Sequence, residues 1–111
     1  MNIVIIKGRL TAEPEIRTTQ SGTTVCKFTI AVDRDYKNAD GTKTCDFIPV
    51  TVWRNTAEFV SKYFKKGDMV LIQGALYTDK YTDKDGNNRI SYFVQGDKIE
   101  FGTTKSKQET P

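Results

Sequence analysis

Apolar and polar residues alternate over short stretches along most of the chain, and turn residues separate those stretches. Period-two alternation puts one side of a strand in a core and the other in solvent, so the pattern predicts an all-β domain. The first strand spans residues 2–10, and Gly8 within it predicts a bulge or a sharp bend. Glu13-Pro14-Glu15 then interrupts the pairing, residues 16–18 resume it, and Gln20-Ser21-Gly22 turns the chain. In the second strand, residues 23–34, Cys26, Phe28, Ile30 and Val32 share one face, and Lys27, Thr29, Ala31 and Asp33 share the other. The polar segment 35–44, with Asn38-Ala39-Asp40-Gly41 inside it, predicts a long exposed loop or a splayed hairpin tip.

The third strand, residues 45–54, carries the most informative pattern. Ile48, Val50 and Val52 form a core face, whereas Phe47, Pro49, Thr51 and Trp53 point the other way. Aromatic rings on a non-core face are costly unless something covers them. Pro49 donates no ladder hydrogen bond and so predicts a sheet edge or an irregularity nearby. Residues 55–64 make one helix, with Asn55 as cap, Glu58 three positions on, and Ala57, Val60 and Phe64 as its apolar stripe. Lys65-Lys66 suits the negative helix end and Gly67 supplies a left-handed stop. A fourth strand, residues 68–77, leads through a polar hairpin loop with Asp85-Gly86 at its tip to a fifth, residues 89–101. Residues 1–102 thus form one domain, and the polar, aperiodic residues 103–111 are expected to be a short disordered tail. Five strands with one helix between strands 3 and 4 is the order of an OB-fold barrel, although the same count also fits another small barrel.

Composition removes many chemistries. The chain has 111 residues and no histidine. That excludes a Ser-His or Cys-His nucleophile pair, an imidazole base and a His-containing metal site. Two cysteines cannot make a four-thiolate site, and Cys26 on the core face is expected to be a small apolar residue rather than a reactive thiol. The interleaved Asp79, Asp83 and Asp85 suit a soluble hairpin better than a metal site. Neither a metal nor another cofactor is expected. A net charge of +3 and a pI of about 8.9 do not by themselves signal nucleic acid. No apolar run exceeds residues 3–6, and the chain opens without a secretory signal pattern, so a cytoplasmic location without membrane contact is expected.

A specific resemblance adds to this reading. Gly8-Arg9-Leu10-Thr11, Pro14-Glu15-Ile16-Arg17 and Gly22 resemble the opening of bacterial-type single-stranded DNA-binding proteins. Asp46-Phe47-Ile48-Pro49-Val50, Val52-Trp53, Ala57-Glu58, Lys66-Gly67-Asp68 and Gly74-Ala75-Leu76 continue it, followed by Tyr81, Asp85-Gly86 and the segment from Arg89 to Phe101. Each piece alone is weak; the ordered set covers residues 1–101 at the family's spacing.

The resemblance implies a five-stranded OB-fold barrel, assembled as a homotetramer. It also implies sequence-independent binding and protection of single-stranded DNA in replication, recombination and repair, near the nucleoid. It places base-stacking rings at Tyr36, Phe47, Trp53 and Tyr81, where family members often carry tryptophan. Stacking on a ring tolerates any base, which suits binding without sequence preference. Arg34, Lys37, Lys43, Arg54, Lys80, Lys84 and Arg89 are candidates for phosphate contact and equally fit a solvated surface. Tyr81 is expected in the loop between strands 4 and 5, flanked by Lys80 and Lys84. Family members in host replication carry an acidic tip that recruits partners; this chain ends at Lys105-Ser106-Lys107-Gln108-Glu109-Thr110-Pro111, so that recruitment is not expected from it.

Two other classes compete. An RNA-binding module on the same barrel, such as a cold-shock-like domain, is generally shorter and lacks the helix between strands 3 and 4. An enzyme such as a nuclease needs a cluster of metal-binding carboxylates beside a base, which these scattered acids do not supply. Assembly has an independent argument. The first strand is apolar on both faces, Ile3 and Ile5 against Val4 and Ile6, as is the fourth, Met69 and Leu71 against Val70 and Ile72. One barrel has one inside, so the outward set needs a partner.

Overall fold

A computed structural model describes residues 1–102, and the tail expected at 103–111 lies outside the described residues. The alternating stretches form β1 Val4–Leu10, β2 Glu15–Thr18, β3 Thr24–Lys37, β4 Lys43–Trp53, β5 Met69–Thr82 and β6 Asn88–Phe101. One helix, α1 Arg54–Tyr63, lies between β4 and β5. The sheet runs β1-β5-β6-β4-β3-β2, and β1 also pairs with β3 through Arg9↔Ala31 and Leu10↔Ile30. That extra pairing closes β1, β5, β6, β4 and β3 into a five-stranded barrel, leaving β2 as a short fringe on β3. All its ladders are antiparallel except β4–β6, where Val50↔Val94 and Thr51↔Gln95 pair in parallel. This is the expected OB-fold, with the helix between the third and fourth barrel strands.

The inward set follows the alternation. Cys26, Phe28 and Ile30 of β3 meet Val50 and Val52 of β4, Val70 and Ile72 of β5, and Val94 of β6 in one buried cluster. The helix adds Ala57 and Val60 to it, and Phe64, just past the helix, stacks on Phe101 with ring centroids 4.5 Å apart. Burial, and then the nearby charge of Glu15, pushes the Cys26 thiol up to about 11, so it stays neutral as a core residue should.

Several local expectations are corrected. The first ladder begins at Val4 rather than at residue 2, because the Asn2 side chain bonds the main chain of Leu76 both ways, at 2.8 and 2.9 Å. Gly8 marks no bulge: the β1–β5 register is unbroken from Val4 to Arg9. It is needed for close approach instead, since a Cβ there would lie 2.5 Å from the Ala31 carbonyl oxygen. Asn55 does not cap α1. Arg54, at φ 55°, turns the chain abruptly out of β4, so the helix starts one residue early and Trp53, which makes no side-chain cap bond, stands at the cap. The helix also ends at Tyr63, with Phe64 already extended. Gly67 does adopt the left-handed conformation, at φ 90°, and its N–H bonds the Leu10 carbonyl at 2.8 Å. Pro49 sits where an edge was expected, one residue before β4 gains β6 as its second neighbour at Val50.

Both hairpins are longer than their alternation suggests. The polar segment after β3 is a hairpin tip rather than a long loop: β3 continues to Lys37, β4 starts at Lys43, and the Asn38 N–H bonds the Thr42 carbonyl at 2.7 Å. Likewise β5 continues to Thr82, because the Asp83 carboxylate accepts from the N–H groups of Asp85 and Asn87 and locks a short turn. Polar side chains on both faces hid these extensions, since alternation reports burial and an exposed ladder buries little.

Candidate nucleic-acid interface

The β3–β4 register fixes which side chains share the barrel's outer face. Trp53 lies opposite Val25, Thr51 opposite Lys27, Pro49 opposite Thr29, and Phe47 opposite Ala31. The fringe strand adds Arg17 beside Val25 and Glu15 beside Lys27. Phe47 is 68% exposed and Trp53 36% exposed, with only small or polar residues between them. Six residues of strand separate the two rings by roughly 20 Å. The Phe47 ring is therefore largely uncovered on this face and the Trp53 ring partly covered. Shallow grooves follow the same face: one of about 290 Å³ is lined by Lys27, Thr29, Pro49 and Thr51, and one of about 200 Å³ by Arg17 and Lys27.

The other two rings stand on the hairpin arms. Tyr36, 57% exposed, is near the end of β3, and Tyr81, 51% exposed, is near the end of β5. Tyr81 is thus a strand residue paired with Arg89, not a loop residue, and Lys80 is paired with Ile90. Neighbours on a strand point to opposite faces, so Lys80 does not stand beside the Tyr81 ring as the loop arrangement implied. A groove of about 440 Å³ at this arm is lined by Lys80, Tyr81, Thr82, Asn88, Arg89 and Ile90. Lys84 belongs to the turn beyond it.

The basic candidates divide by partner. Arg34 is engaged by Asp46: Nε donates to Oδ2 and Nη2 to Oδ1, both at 3.0 Å, while Nη1 donates to the Tyr36 hydroxyl at 3.1 Å. The guanidinium holds the Asp46 carboxyl below the usual carboxylate range. Arg89 is engaged by Asp83, Nε to Oδ2 at 2.8 Å, and it likewise lowers that carboxyl, helped by the Asn87 N–H. Lys37 and Lys43 lie directly opposite each other at the base of the first tip. Like charges so placed repel, and a bound anion relieves that repulsion. Arg54 is exposed in its left-handed conformation next to Trp53. On the outer face itself the Cys45 thiol donates to Asp33 at 2.8 Å, which raises the thiol's pKa further from the reactive range.

Sequence reasoning passed over Lys27 and Arg17. The parity of Lys27 on its strand was legible, but only the register sets it between the levels of Phe47 and Trp53. No group of three or more potential metal ligands occurs among the described residues, and no helix among them is long and apolar enough to cross a membrane.

Comparison with known proteins bears on what this face does. A model of the single-strand binding protein family matches residues 1–102. The chain is 43% identical over 108 residues to the single-stranded DNA-binding protein 1 of Clostridium acetobutylicum, covering 96% of this chain and 98% of that protein. It is 42% identical over 110 residues to the single-stranded DNA-binding protein of Staphylococcus aureus strain MRSA252, covering 99% of this chain and 70% of that protein. The single-stranded DNA-binding protein of Fusobacterium nucleatum is 38% identical, with 99% of this chain and 72% of that protein covered. With this match spanning the whole barrel and both arms, the chain belongs to the single-strand binding protein family.

Proposed function

We propose that the chain binds single-stranded DNA along a path over the outer face of β3 and β4 and across the two hairpin arms. The observation that carries this path is the exposure of Phe47 and, in part, of Trp53 on one outer face of the barrel. The family binds single-stranded DNA and is not enzymatic, and this chain shares both properties with it. Bases stack on Phe47, Trp53, Tyr36 and Tyr81, in any order of sequence. Phosphates are met by Lys37 and Lys43, whose mutual repulsion they relieve, by Lys80 and Lys84 on the second arm, by Arg54 beside Trp53, and by Lys27 and Arg17 on the face itself. Arg89 lines the arm groove while tied to Asp83. Residues 1–102 are the DNA-binding unit, acting in replication, recombination and repair in the cytoplasm near the nucleoid. The family membership and the ring positions favour this over an RNA-binding module.

Single-stranded DNA should compete for the protein with little dependence on base composition, whereas duplex should compete poorly. Because the chain has no histidine, and the Asp46 and Asp83 carboxyls are held low and both thiols high, affinity should stay flat between pH 6 and 8. Competition assays at three pH values check both points. A duplex that competes as well as the single strand contradicts the proposal.

Assembly as a homotetramer is part of the same reading. Ile3, just ahead of β1, and Ile5 within it stand exposed, and further along the β1–β5 ladder the half-buried Leu71 lies opposite Lys7 and the half-buried Met69 opposite Arg9. Exposed apolar surface of this kind marks an interface. Ile5→Glu should shift light scattering toward smaller species without unfolding the barrel, and an unchanged mass would place the interface elsewhere.

A further inference from the structure

The β3–β4 ladder loses its register just where Tyr36 stands. Pairing runs without interruption down to Asp33↔Cys45 and resumes at Lys37↔Lys43, so Arg34, Asp35 and Tyr36 of β3 face the single residue Thr44 of β4. Regular cross-strand pairing therefore does not orient Tyr36, as it orients Phe47 opposite Ala31. The ring is exposed, and none of the ring contacts among the described residues involves it. What holds it is its hydroxyl, which accepts from Arg34 Nη1 at 3.1 Å, while the other edge of the same guanidinium grips Asp46 with two bonds of 3.0 Å.

We propose that Asp46 and Arg34 are positioning residues for DNA binding: the carboxylate fixes the guanidinium, the guanidinium fixes the Tyr36 hydroxyl, and the ring meets a base already oriented. The inference rests on the stacking role given above to Tyr36. An exposed ion pair contributes little to stability, but a bidentate arginine–carboxylate fork fixes direction as well as distance. A planar guanidinium alone can serve the carboxylate with one edge and the hydroxyl with its remaining nitrogen; lysine, a point charge on a flexible stem, cannot. With its charge balanced by Asp46, Arg34 acts through Tyr36 rather than as a phosphate contact of its own. Ordering a free side chain during binding costs affinity, and an arm that holds the ring beforehand avoids that cost.

Charge-preserving variants separate the two roles. Tyr36→Phe and Arg34→Lys should each weaken binding of an oligo-dT by roughly two- to tenfold, the cost of ordering one side chain. The double variant should bind no worse than the weaker single one, because both break the same link. In the free protein, Arg34→Lys should collapse the Tyr36 ring resonances toward averaged values in NMR spectra while the barrel amides stay in place. If Arg34→Lys binds like the parent, or if the two losses multiply, the arginine is a plain cation and the proposal fails. Tyr36→Ala tells that failure from a failure of the stacking reading: unchanged affinity there would remove the ring from the interface, and the positioning role with it.

Discussion

Trp53→Ala and Phe47→Ala should each weaken single-stranded DNA binding by ~1–3 kcal/mol, the value of one base stacked on one ring, with the melting temperature almost unchanged. The reason is geometric. Both rings project from β4 away from Ile48, Val50 and Val52: Phe47, opposite Ala31, keeps 68% of its surface exposed, and Trp53, opposite the buried Val25, keeps 36%. Removing either ring takes away a surface for a base and opens no cavity in the core. Titration of each variant with oligo-dT, alongside thermal unfolding, reads the two quantities separately. Loss of the fold in Trp53→Ala would mean that the ring is structural, and the platform assignment would fail.

Ile30→Ala should do the reverse. Ile30 is fully buried at the centre of β3, opposite Ile48, and it belongs to the cluster shared by β4, β5 and β6. Truncating a buried isoleucine to alanine removes transfer free energy and leaves a cavity, at a cost of ~2–5 kcal/mol of stability. Chemical denaturation measures the loss, while the variant that remains folded should bind DNA with near-parental affinity because no ring on the outer face has moved. A stable Ile30→Ala variant with impaired binding would invert the assignment of the two faces.

The two faces of β4 were legible in the sequence because burial imposes period-two alternation wherever a strand covers a core. The same rule made the core set Cys26, Phe28, Ile30, Val50 and Val52 readable from the alternation alone. It also exposed the outward isoleucines of β1 that argue for a partner. It was silent where nothing is buried. The distal halves of β3 and β5 are exposed on both faces, so their polar residues looked like loop, and Tyr81 was placed off the strand it occupies. The start of α1 was misplaced for a different reason. A capping motif was present at Asn55, yet the left-handed turn at Arg54 had already committed the chain to the helix. The pairing of Asp46 with Arg34 spans twelve positions across a hairpin and becomes visible only once the register is known. The position of Lys27 between the levels of Phe47 and Trp53 was hidden in the same way. The resemblance to the family named the four rings, but which residues steady them is a matter of register that no motif records.

Trp53 is the only tryptophan in the chain, which makes its emission a direct report on the central claim. Titrating the parent protein with oligo-dT and with a duplex of equal length, while following that emission, tests whether a base comes to rest on the exposed ring. Strong, saturable quenching by the single strand, with little response to the duplex, is the predicted result. Binding of the single strand, seen by anisotropy of a labelled oligonucleotide, without any change in Trp53 emission would contradict it and move the DNA path off the outer face of β4.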